Sequence, residues 1–104
     1  PGYEITISVG IEEQNKLGEF TLDQNYPNPF NPKTQINFSL ASDQHVILEV
    51  FDINGRAIAK LIDKPMQVGE YRIGFNASEL SSGVYLYKLT TPSFTETKKM
   101  LLIK

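Results

Sequence analysis

A chain of 104 residues with an apolar share of 40% supports one modest domain around one small core. Its net charge of -2 argues against the basic face of a nucleic-acid binder. The absence of cysteine removes disulfides, thiolate metal sites, a nucleophilic thiol and a lipid-anchoring cysteine.

No stretch approaches the ~18 apolar residues of a membrane-spanning helix. The start, Pro1-Gly2, is neither an initiator methionine nor a signal peptide, so the chain reads as the tail of a longer protein. Tyr3, Ile5, Ile7 and Val9 alternate with Glu4, Thr6 and Ser8, the period-2 pattern of a half-buried strand. Gly10 ends it, and a polar, acidic stretch follows. This predicts a strand over residues 1–9 that closes a preceding domain, a linker over residues 10–21, and the main domain over residues 22–104.

Within that domain Ile36, Phe38 and Leu40 alternate with Gln35, Asn37 and Ser39. Val46, Leu48 and Val50 share one face of the next strand, and Ile47, Glu49 and Phe51 share the other. Asn54-Gly55 then predicts a two-residue type I′ hairpin, with residues 57–62 returning antiparallel to 46–51. Tyr71, Ile73 and Phe75 mark another strand, residues 76–83 a loop, and residues 84–90 and 94–104 two final strands around Thr91-Pro92-Ser93. No segment carries a helical stripe over two turns. The expected fold is an all-β, antiparallel Ig-like β-sandwich of about seven strands, with the strand order left open.

Catalytic equipment is not evident. The single histidine, His45, at the start of a strand, has no cysteine or second histidine to build a zinc site, and reads as a surface residue. Asp23, Asp43, Asp52 and Asp63 lack the close spacing of a calcium loop, and Gly83-Val84-Tyr85 is no phosphate loop. Neither enzyme activity, nor a metal, nor a cofactor is expected. Asn76-Ala77-Ser78 matches a glycosylation sequon, a short pattern with many chance occurrences.

Two segments depart from plain sandwich patterning. In Tyr26-Pro27-Asn28-Pro29-Phe30-Asn31-Pro32, three prolines fix the backbone and bar it from the middle of a ladder. It reads as a rigid strap leading into the domain, with Tyr26 and Phe30 packed over one end of the sandwich. The alternative is an exposed aromatic-proline epitope. The second segment is Lys98-Lys99-Met100-Leu101-Leu102-Ile103-Lys104, four apolar residues between lysines. It is either a strand covered on both faces or an edge strand offered to a partner, with the lysines limiting uncontrolled pairing. Residues 86–104 carry a net +3 and residues 1–32 a net -4, a split that a solvated surface also explains.

These segments, together with Phe51-Asp52-Ile53-Asn54-Gly55-Arg56 and Leu80-Ser81-Ser82-Gly83-Val84-Tyr85-Leu86-Tyr87-Lys88-Leu89, resemble the type A C-terminal sorting domain of the type IX (Por) secretion system of Bacteroidetes. The resemblance covers residues 22–104. It implies a passenger protein that crosses the periplasm and passes the outer-membrane translocon to the cell surface or beyond. It also implies removal of the domain by a sortase-like protease, with the cut expected in residues 10–21. On this reading Gly83, an unobstructed backbone position, and Tyr85, an amphipathic anchor, contribute to translocon recognition. So do Lys98, Lys99, Met100, Leu101, Leu102, Ile103 and Lys104, and a strand-mediated dimer is a further expected contact. No nucleic acid and no direct membrane span are implied. The alternative is a non-catalytic Ig-like structural module, or a carbohydrate-binding one presenting Tyr71, Tyr85 or Tyr87.

Overall fold

A computed structural model of the chain describes residues 3–8 and 18–104. Its strands are β1 (Tyr3–Ser8), β2 (Thr21–Leu22), β3 (Lys33–Leu40), β4 (Gln44–Asp52), β5 (Ala57–Met66), β6 (Gly69–Asn76), β7 (Gly83–Thr91) and β8 (Phe94–Leu102). The seven expected strands are present, and the two-residue β2 is an eighth. They form two antiparallel four-stranded sheets, ordered β1-β6-β3-β2 and β5-β4-β7-β8. The expected β-sandwich is the fold. Most of the expected linker lies outside the described residues.

The alternation legible in the sequence sets which faces meet. Ile36, Phe38 and Leu40 of β3 and Tyr71, Ile73 and Phe75 of β6 are buried from one sheet. Val46, Leu48 and Val50 of β4, Tyr85, Tyr87 and Leu89 of β7, and Met100 and Leu102 of β8 are buried from the other. Phe38 stacks on Tyr71 with ring centroids 5.3 Å apart. Burial of such side chains, at about 1.5–3 kcal/mol each, drives the two sheets together.

The free edge of the second sheet is blunted. Between β4 and β5 the register slips twice, at Leu48/Glu49 and at Val50/Phe51, leaving Leu61 and Ile58 as extra residues. Exposed Lys60, Lys64 and Pro65 line the same strand, a combination that discourages a further strand from pairing there.

The β4–β5 hairpin forms as expected, but its turn differs from the two-residue type I′ loop. Asp52 and Arg56 close a three-residue loop, with the Asp52 N–H donating to the Arg56 carbonyl at 2.9 Å and the Gly55 N–H to the Asp52 carbonyl at 3.0 Å. Gly55 alone supplies the positive φ, +86°, that this longer loop needs. The reason lies in Asp52. Its Oδ1 accepts the N–H groups of Asn54 and Arg56, both at 2.9 Å, and its Oδ2 meets the Arg56 guanidinium at 3.1 Å.

The Arg56 N–H, helped by its guanidinium and by Asn54, holds the Asp52 carboxyl below its ordinary value. Across the same β4–β5 pair, hydrogen bonds from His45 (2.6 Å) and Lys60 (3.3 Å) do the same for Asp63. Lowered folded-state values contribute stability that is present above about pH 4 and lost as the pH falls through the folded values. Asp52→Asn is therefore expected to lower the neutral plateau of the stability curve while leaving the acid end little changed, so that the acid limb flattens. Urea unfolding between pH 2 and 7 checks this; an unchanged acid limb would contradict the assignment.

Candidate functional site

The two segments set apart in the sequence prove to be one structural unit. The chain from Phe20 to Phe30 runs alongside β8 and closes the side of the sandwich where β2 and β8 form the outer strands. Phe20 stacks on Phe94 at the start of β8, with centroids 5.6 Å apart. Further along, the Gln24 side-chain amide donates to the Lys99 carbonyl at 2.7 Å, and the Leu101 N–H donates to the Asn28 side chain at 3.0 Å. At the far end Phe30 pairs with Leu102 in a parallel bridge. Its N–H donates to the Leu101 carbonyl, and its carbonyl accepts from the Ile103 N–H, both at 2.9 Å.

Those bonds occupy the outward-facing backbone groups of β8 at Lys99 C=O, Leu101 and Ile103 N–H. An edge strand normally leaves such groups open to a partner strand. Here the chain's own strap fills the second half of the edge. Alternation along the ladder turns Thr95 and Thr97 outward in the first half of the edge.

The strap is in turn fixed from inside. Tyr87, on β7, is fully buried, and its hydroxyl donates to the Asp23 carbonyl at 2.7 Å and accepts the Asn25 N–H at 2.8 Å. Burial pushes this hydroxyl up to about 12, so it remains a donor throughout the neutral range. Asn25, also buried, takes the Gln24 amide on its oxygen and donates to Thr34 Oγ1 at 2.9 Å; Thr34 donates to the Pro27 carbonyl at 2.8 Å. The three Xaa–Pro bonds of the strap are cis.

Phe30 packs into the core as expected, its ring 6.5 Å from that of Phe75. Tyr26 does not; it is 80% exposed. The backbone of Tyr26 exchanges two hydrogen bonds with Gln35, which places Asn25 inward and its successor outward. Pro27, Asn28 and Pro29 are exposed beside it.

The apolar run of β8 also divides. Met100 and Leu102 are buried, whereas Leu101 is 36% and Ile103 49% exposed. Register places Val84 opposite Leu101, and Leu86 opposite both Lys99 and Phe51. Opposed residues share a face. A partly exposed apolar row therefore crosses three strands, and its members Phe51 and Leu86 escaped the sequence reading because each looked like an ordinary strand residue.

The remaining expected recognition residues disperse. Tyr85 is buried, with its hydroxyl donating to the Ser81 carbonyl at 2.7 Å. Gly83, at φ +154°, is required by its backbone, since nothing lies within 4 Å of where a Cβ would stand. Lys98 pairs with Glu96 at 3.2 Å. The Lys104 ammonium donates to the carbonyls of Ser78 and Leu80 at 2.7 and 3.0 Å, and its N–H to Ser82. Lys99 is exposed with no acidic partner among the described residues. Pro32 is half-buried, and its carbonyl accepts the Ala77 N–H at 2.8 Å.

Among the described residues no group of histidines and carboxylates is disposed to hold a metal. Tyr71, Tyr85 and Tyr87, the residues of a carbohydrate platform, are all buried. What remains is a β-sandwich module whose distinctive part is a strap sealed onto its last strand beside an apolar outer face. The chain belongs to the secretion system C-terminal sorting domains, whose family model matches residues 24–104. A search of curated proteins found no match.

Replacing Tyr87 by Phe keeps the ring but removes the hydrogen bonds to the Asn25 N–H and the Asp23 carbonyl. The expected loss is about 1–3 kcal/mol. Melting should fall by roughly 4–8 °C per kcal/mol. Amide exchange at Phe30 and Ile103 should quicken more than exchange in the middle of β4, and a uniform change would deny Tyr87 its role in holding the strap.

Proposed function

We propose that residues 22–104 direct a passenger protein through the type IX translocon in the outer membrane, and that the strap and last strand form the recognition unit. The observation that carries this reading is the family match over residues 24–104. Membership in that family implies export by this system to the cell surface or the medium. Transit through the periplasm and removal by a sortase-like protease complete the proposal, with residues 1–9 on the passenger side and residues 10–21 as the substrate stretch.

Recognition by strand addition along β8 fits poorly with an edge whose second half the strap already fills. A strand-mediated pair of chains would likewise need the strap lifted away. Docking onto the outer face fits better. Leu101 and Ile103 are exposed next to the half-buried Val84 and Leu86, and Lys99 offers a positive charge among them. Met100 and Leu102 keep this face in place from within the core, and Gly83 and Tyr85 set the start of β7 beneath it.

Fusion of residues 22–104 behind a signal peptide and a fluorescent protein, in a host with a type IX system, is expected to deliver fluorescence to the surface. Accumulation in the periplasm would overturn the sorting role. In the same fusion, the pair Leu101→Asp and Ile103→Asp is expected to cut surface delivery about tenfold, the factor given by ~1.4 kcal/mol of lost binding. Both side chains are exposed, so circular dichroism of the purified variant should match the parent. Undiminished delivery would remove this face from recognition. Mass spectrometry of the released passenger is expected to find its new C-terminus within residues 10–21; an end within 22–104 would contradict the cleavage reading.

A further inference from the structure

β1 sits at the edge of the first sheet, antiparallel to β6 through six residue pairs from Tyr3↔Phe75 to Ser8↔Glu70. The family model begins at residue 24 and so describes a module without this strand. With β1 removed, β6 would become the edge, with a full row of backbone donors and acceptors turned outward. The apolar positions of β1, namely Tyr3, Ile5 and Ile7, fall opposite Phe75, Ile73 and Tyr71, which are core residues.

The connection to β2 has an informative geometry. Ser8 aligns with Glu70, Glu70 with Ser39, and Ser39 with Thr21, so β1 ends and β2 starts at one level on opposite edges of the sheet. Three inter-strand steps separate them, roughly 14–15 Å. Twelve residues intervene in sequence. None of the β1–β6 pairs involves a residue of this connection, so a cut within it breaks no rung of the ladder.

We propose that the β6 edge is a strand-acceptor site whose occupant is this chain's own β1, and that it keeps the upstream part of the protein bound after the connection is cut. This rests on the reading that cleavage falls within residues 10–21. Proteolysis is then the first of two steps, and the passenger leaves only when β1 peels from β6. The site selects an antiparallel strand with apolar residues at alternate positions, since the three paired β6 positions that lie in the core are themselves alternate.

The test uses the full chain behind a fluorescent protein, with a specific protease site inserted between Gln14 and Asn15. After complete nicking, gel filtration without denaturant is expected to show the fluorescent part and the sandwich eluting together, separating in 6 M urea. Ile5→Pro, which breaks the edge strand, is expected to make them separate without denaturant while the released sandwich keeps its β-sheet circular dichroism. Separation of the unsubstituted pair on nicking would overturn the proposal, as would retention that survives Ile5→Pro. An uncut chain at twice its monomer mass, reduced to monomer by Ile5→Pro, would overturn it by assigning the edge to a second copy. None of these outcomes depends on secretion, so they stand or fall apart from the sorting role.

Discussion

One buried hydroxyl organises the part of this molecule that differs from a generic sandwich. Tyr87 reaches from β7 to take both the Asp23 carbonyl and the Asn25 N–H, fixing the start of the strap from within the core. From that point the chain has little freedom. Asn25 and Thr34 brace Pro27, and Gln24, Asn28 and Phe30 attach to successive positions of β8. The exposed row beyond β8 keeps its shape because Met100 and Leu102 are gripped on one side and the backbone of Leu101 on the other.

This arrangement resolves a conflict that any surface-displayed edge strand faces. An open edge recognises partners through its backbone but also pairs with unintended ones. Here much of the backbone of β8 is used internally, which leaves side chains as the means of discrimination. On the proposed docking face, specificity would rest on the shape and chemistry of a few side chains, the exposed Leu101 and Ile103 among them.

Much of the fold was legible in the sequence because it is written in local alternation. Every predicted strand is present, and the buried faces of β3 and β6 are the apolar ones of the period-2 pattern. The misreadings share a physical cause, which is dependence on distant partners. Tyr26 looked like a packing residue, but its outward direction follows from a backbone pairing with Gln35. The run from Met100 to Ile103 has no alternation to read, so only its register against β7 separates buried from exposed members. The Asp52 carboxylate lengthened the hairpin loop by filling it with hydrogen bonds, a local effect overridden in the reading by the strength of the Asn-Gly signal. Polar anchors such as Gln24, Asn25 and Asn28 bond to groups as many as 75 residues away, and composition carries no trace of that.

The bonds between Phe30 and the backbone of Leu101 and Ile103 also impose an order on assembly. They join parts of the chain about 70 residues apart, so they form only after the intervening six strands can be brought into place. A chain that stops before Leu101 leaves the N–H and the carbonyl of Phe30 and the side chain of Asn28 without their counterparts. The finished corner thus acts as a seal of completion. Truncated products lack the exposed apolar residues Leu101 and Ile103 as well as the closed side that supports them.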